Sequence, residues 1–193
     1  MKYDLSKGLP ENFLYAASTI VHYRAKFHQE DGALVNETIK LEDPKAAFQN
    51  YAYISVVDKE PVALPVEMEV ECAFDKYGAP LIVFSESIHE LENGDMQFGT
   101  HYEAVLYESG INLWHLTPQE DGTQKTVNLC RAKLPFPAGE KLTMKVRLTR
   151  EGIEAVCGEL TAKAEIALPE KMYVGFTACE GINRFYSFSV KNA

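Results

Sequence analysis

The chain has 193 residues, 46% of them hydrophobic, and a net charge of −9 from 19 basic and 28 acidic side chains. That length supports one sizeable core and a single domain over residues 1–193, and the acidic balance excludes a general electrostatic hold on nucleic acid or anionic lipid. No apolar run is long enough to span a bilayer, and Met1 to Pro10 lacks the continuous apolar stretch of an export signal, so a cytoplasmic location is expected.

Residues 1–17 hold few alternating apolar positions and the helix-stopping pair Leu9-Pro10, which predicts an irregular lead-in packed across the domain. Strands follow. Val21, Tyr23, Ala25 and Phe27 alternate with His22, Arg24, Lys26 and His28, a basic face read as solvated. The run ends at Asp31-Gly32, a strong hairpin signal. Within Lys40–Gln49, Pro44 limits any helix to one short turn that starts there. Tyr51–Val57 reads as a strand. Val66, Met68, Val70, Cys72 and Phe74 then alternate with Glu67, Glu69 and Glu71, the clearest amphipathic strand in the chain. Leu81–Phe84 is apolar on both faces, which predicts a central strand covered on both sides or bordering a lined cleft.

Asp95 to Leu116 reads as a hairpin and contains the single tryptophan. A two-residue loop at Ser109-Gly110 would set Leu106 opposite Leu113 and Val105 opposite Trp114. Tyr102, Ala104, Leu106, Ile111 and Leu113 then share a core face, while Glu103, Val105, Tyr107, Asn112 and Trp114 share the other. The second face mixes flat aromatic rings with amide and carboxylate groups, a combination suited to the apolar faces and hydroxyl edges of a sugar.

After a polar loop over Gln119–Thr126 and the punctuation of Leu134 to Gly139, Leu142, Met144, Val146 and Leu148 alternate with basic and hydroxyl residues up to a turn at Glu151-Gly152. Ile153–Cys157 is the hairpin partner. Met172 to Val190 closes the chain as two strands flanking the loop Cys179 to Arg184. Many short strands and almost no helix indicate an all-β, two-sheet antiparallel β-sandwich. The four cysteines, Cys72, Cys130, Cys157 and Cys179, are isolated among apolar strand residues, which predicts reduced thiols rather than disulfides or a metal cage.

Five pieces in order, Glu30–Leu34, Val66–Phe74, Pro80–Phe84, the hairpin, and Val174-Gly-Phe-Thr with Phe185–Val190, resemble the concanavalin A-like lectin/glucanase superfamily. Within it the similarity is to bacterial jelly-roll modules related to laminin G-like domains and sugar hydrolases. The resemblance implies one convex and one concave sheet, with saccharides commonly held on the concave sheet or its rim loops. It implies fold strongly and function weakly, because the superfamily also contains hydrolases, lyases and adhesion modules. No cofactor is expected; the resemblance leaves room for a structural calcium on carboxylate and carbonyl oxygens, as in related modules, although no clustered Asp/Asn pattern marks one here.

Three functions follow. The first is a carbohydrate-binding domain with Trp114 and Tyr107 as stacking platforms and Glu103, Asn112 and Arg184 as hydrogen-bonding partners. The second is a glycoside hydrolase. Retaining glucanases of the superfamily carry Glu-x-Asp-x-Glu on a strand, so Glu69 within Glu67–Glu71 is one candidate, and Glu86 with Glu103 is another. The glutamate row is more simply a solvent face opposite Lys145 and Arg147. The third is an interaction domain that self-associates through a sheet edge, giving a homo-oligomer. Neither a Ser-His-Asp triad nor a phosphate loop can be argued, and His101 and His115 flank the hairpin, where structural roles suit them.

Overall fold

The computed structural model describes residues 1–18, 26–36, 53–75 and 77–193. The alternation predicted over 21–25, the turn at Pro44 and the start of the strand at Tyr51 lie outside the described residues. In chain order the strands are β1 (Lys2–Asp4), β2 (Phe13–Ala17), β3 (Phe27–Glu30), β4 (Ala33–Asn36), β5 (Ile54–Asp58), β6 (Val62–Ala63), β7 (Val66–Phe74), β8 (Ala79–Ser85) and β9 (Ile88–Glu90). They continue with β10 (Met96–Phe98), β11 (His101–Tyr107), β12 (Gly110–Pro118), β13 (Gln124–Lys133), β14 (Leu142–Leu148), β15 (Gly152–Cys157), β16 (Leu160–Glu165), β17 (Lys171–Cys179) and β18 (Asn183–Asn192).

These strands make an all-β sandwich of two curled sheets. The first runs β16-β15-β14-β7-β18-β4-β3, with β1 also paired to β18. The second runs β13-β12-β11-β8-β17-β5-β2-β10-β9, with β6 paired to β17. Alternation decides which side chains meet between them. Met68, Val70, Cys72 and Phe74 of β7 face Ile82 and Phe84 of β8, and Ala104, Leu106, Ile111 and Leu113 of the hairpin close the same buried cluster. At its centre Phe176 of the second sheet packs on Phe185 and Phe188 of the first, with ring centroids 4.8 and 5.4 Å apart.

Local chemistry accounts for the turns. Asp31 and Gly32 both hold positive φ, 48° and 74°, the handedness a two-residue hairpin needs, and they join β3 to β4 as expected. The strand Leu81–Phe84 is central, buried throughout and flanked by β11 and β17.

Three expectations are corrected. The lead-in is ordered: Lys2–Asp4 pairs with Ser187–Ser189, Leu5–Lys7 is a 3-10 turn capped by Asp4, and Phe13–Ala17 joins the second sheet beside β5. Short strands of this kind are held by distant partners, so their own sequence shows little periodicity. The polar loop after β12 is shorter than expected, because β13 begins at Gln124 and extends to Lys133. The hairpin loop is Glu108-Ser109 and not Ser109-Gly110: Tyr107 opposes Gly110, Leu106 opposes Ile111 and Glu103 opposes Trp114. Gly110 belongs in the strand, where a Cβ would lie 2.0 Å from the carbonyl oxygen of Ala132 on β13. Each partner moves by two residues, so the faces assigned to the hairpin are unchanged.

Candidate functional site

The register fixes which groups share the outer face of the second sheet. One row runs Asn128–Trp114–Glu103–Val83–Gly175–Val57, and the next runs Arg131–Asn112–Val105–Leu81–Thr177–Ser55. The middle of this face is a second apolar cluster that includes Val57, Leu81, Val83, Phe98 and Cys179, all buried. Towards β12 and β13 it opens: Val105, Tyr107, Asn112 and Trp114 are half-buried, and Asn128 and Arg131 are exposed.

A β-bulge aligns the open flank. The register shift between Leu113 and Trp114 turns both Leu129 and Cys130 towards the core, so that Asn128 opposes Trp114 and Arg131 opposes Asn112 on one face. The hydroxyl of Tyr107 donates to Asn112 Oδ1 at 3.4 Å, which orients the amide with its N–H groups unclaimed among the described residues.

Glu103 closes the buried side of the flank. Only 4% exposed, its carboxyl is pushed up to about 7 by burial, against the opposing effect of the Tyr53 hydroxyl, which donates to both its oxygens at 3.3 and 3.2 Å. His101 is beside it, with Nε2 4.0 Å from Glu103 Oε1, and burial pulls this imidazole down to about 4. Its Nδ1 lies 2.9 Å from the Gly99 carbonyl, so Nδ1 carries the proton and Nε2 is a buried lone pair with no hydrogen-bond partner among the described residues. Across the sheet, Tyr53 also lines a half-open cleft of about 270 Å³ with Ser55, Tyr15, Lys26 and Asp95.

Of the five residues expected to bind sugar, the structure gathers four, Trp114, Tyr107, Glu103 and Asn112. Arg184 is elsewhere: it opens β18 in the first sheet and pairs with Glu30 at 3.5 Å. The paired carboxylates are not assembled either. Tyr102 and Glu103 are successive residues and point to opposite faces, and Glu86 accepts from the Tyr102 hydroxyl at 2.9 Å, on the side away from Glu103. His115 stacks on Tyr102 on that same side, with centroids 4.7 Å apart, so the two histidines flank the hairpin on opposite faces. Glu69 lies on the outer face of the first sheet, 3.2 Å from Lys145 Nζ. Glu71 pairs with Lys141 at 3.6 Å, and Glu67 takes Lys191 at 2.6 Å, although Arg147 stands opposite it in register. Among the described residues, no group of three or more His, Cys, Asp or Glu side chains is placed to hold a metal ion.

Tyr53, Asn128 and Arg131 were not legible as site residues. Asn128 and Arg131 are three apart, which strict alternation assigns to opposite faces, and only the bulge unites them.

No protein-family model matches the chain, and no curated protein matches it in sequence. Solved structures match its shape. The carbohydrate binding module CBM66 from Bacillus subtilis superposes with a TM-score of 0.62 at 8% identity, covering 94% of this chain and 96% of the module. A glycoside hydrolase family 16 endo-glucanase from Bacteroides ovatus gives a TM-score of 0.64 at 6% identity over 99% of each chain. A protein of unknown function with a galectin-like fold, also from Bacillus subtilis, gives 0.62 at 9% identity over 94% of this chain and 90% of that one. The fold is therefore the concanavalin A-like jelly roll, and at these identities the likeness concerns fold alone.

Proposed function

We propose that this chain is a lectin-like saccharide-binding domain and that the sugar sits on the outer face of β11, β12 and β13. The observation that carries this reading is the position of Trp114. The chain's one indole is half-buried on the outer face, between Glu103 and Asn128, and not between the sheets. An indole in that position offers an apolar platform for sugar C–H groups, with the amides of Asn112 and Asn128 beside it as hydrogen-bonding groups. A carbohydrate-binding module and an endo-glucanase built on the same architecture support a carbohydrate ligand. Cys72, Cys157 and Cys179, buried and unbonded, suit a reducing compartment, in keeping with a cytoplasmic location.

The test is a glycan screen read by the fluorescence of Trp114. A bound saccharide should shift the emission, and Trp114→Ala should weaken binding by about 1–3 kcal/mol while leaving the fold intact. A broad screen without binding would overturn the reading.

Glycoside hydrolysis is the second reading, favoured by the neutral carboxyl that burial provides at Glu103. Against it, no described carboxylate shares the row of Glu103 or the row beside it, and hydrolysis by this route needs a pair. Turnover abolished by Glu103→Gln would reverse the ranking. Self-association through the edge strand β13 ranks third, because Lys125, Arg131 and Lys133, with no acidic residue among them, would meet their own kind in a symmetric pairing.

A further inference from the structure

We infer that the saccharide taken by this face is acidic, and that Arg131 receives its carboxylate or sulfate group beside Trp114. The inference rests on the saccharide reading above and names the class of ligand within it.

The exposed part of the face carries positive charge and donors. Arg131 stands directly opposite Asn112, the next outward residue along β12 from Trp114, so in register Arg131 is a diagonal neighbour of Trp114 on this face. Lys133 follows on the same face, opposite Gly110. Both side chains are exposed, and among the described residues neither is in an ion pair. Asn112 Oδ1 is taken by the Tyr107 hydroxyl, which leaves the amide N–H groups for a ligand. Asn128 Nδ2 spends one hydrogen on the Leu113 carbonyl at 3.5 Å and keeps the other. The one carboxylate in these rows, Glu103, is buried and held by Tyr53, so it presents no anion at the open flank. Glu108, at the hairpin turn, lies beyond the two rows.

A cluster of donors around an aromatic platform suits a ring that carries an anionic oxygen group. The planar fork of arginine matches carboxylate and sulfate oxygens in two parallel hydrogen bonds. In a chain of net charge −9, Lys141, Lys145, Lys163 and Lys191 at the first sheet are each paired with an acid. Arg131 is not. Because the general field of the protein repels anions, the attraction is local and belongs to this flank.

The experiment measures binding of matched oligosaccharide pairs to the whole chain: oligogalacturonate and its full methyl ester, and a sulfated galactan oligosaccharide and its desulfated form. Wild type should bind at least one charged member about tenfold or more tightly than its neutral partner, with the preference shrinking as salt rises. Arg131→Gln should remove the preference, whereas Lys145→Gln, an equal change in net charge on the other sheet, should keep it. The carboxylate and sulfate arms identify which anion is read. Equal binding of charged and neutral members, or a preference that survives Arg131→Gln, overturns the inference and leaves the saccharide reading standing. No binding of any of the four overturns the inference, while the saccharide reading stands or falls on the broad glycan screen.

Discussion

The hydroxyl of Tyr53, just ahead of β5, donates to both carboxylate oxygens of Glu103 on β11, across the two strands β8 and β17 that lie between them in the sheet. A tyrosine reaches that far only because the sheet curls over its own outer face. The same curl buries Glu103 and His101 side by side, with opposite consequences for their protons.

The two residues should give opposed pH dependences of stability. Glu103 is raised from 4.5 to about 7, so the native state holds its proton, a contribution whole below pH 4.5 and lost as pH rises through 7. His101 is lowered from 6.5 to about 4, so its contribution is whole above pH 6.5 and lost as pH falls through 4. Between these limits the two largely cancel in the wild type. In Glu103→Gln only the histidine contribution remains, and relative to wild type the variant should gain on the order of 3 kcal/mol between pH 4.5 and pH 7.5. Urea midpoints across that range measure it, and a difference that does not change with pH would show that Glu103 ionises normally.

Gly175 should tolerate no side chain. It lies in β17 at the centre of the second sheet, where a Cβ would sit 1.9 Å from the Val56 carbonyl oxygen and 2.6 Å from Val57 Cα. Both obstacles are backbone of the neighbouring strand, so relief requires moving β5. Gly175→Ala should cost about 3 kcal/mol or more, or prevent folding. A denaturation midpoint close to wild type would contradict this contact.

One thiol in four should react quickly with a disulfide reagent in the native protein. Cys130 is half-exposed on the edge strand, whereas Cys72, Cys157 and Cys179 are buried. Burial pushes all three of these upwards, Cys157 to about 11, so their thiolate fractions are small as well as shielded. In urea all four should titrate. A second fast thiol in the native state would show that a core face opens.

The glutamate row should matter little. Lys145 and Glu69 are both substantially solvated, and a cross-strand pair of that kind is worth about 0.2–1 kcal/mol. Glu69→Gln and Lys145→Ala should each unfold within about 1 kcal/mol of wild type, and neither should alter saccharide binding. Loss of binding in Glu69→Gln would return the search for the site to the first sheet.

The features legible in the chain alone are periodic or local. Alternation from Val66 to Phe74 set the core face of β7 and sent its glutamates to solvent. The continuous apolar run Leu81–Phe84 marked a strand covered on both sides, Asp31-Gly32 supplied a turn of the right hand, and the hairpin faces survived a register error because side-chain direction repeats every two residues. Features that depend on distant partners come from the packed fold. It recruited Lys2–Asp4 and Phe13–Ala17 as strands, placed Arg184 on the sheet away from Trp114, and brought Tyr53 to Glu103. It also introduced the bulge that sets Asn128 and Arg131 on one face with the indole. The physical reason is that alternation specifies which face a side chain takes within its own strand. Strand order, sheet curl and bulges specify which side chains from different strands meet, and these arise from packing and backbone pairing between residues far apart in the chain.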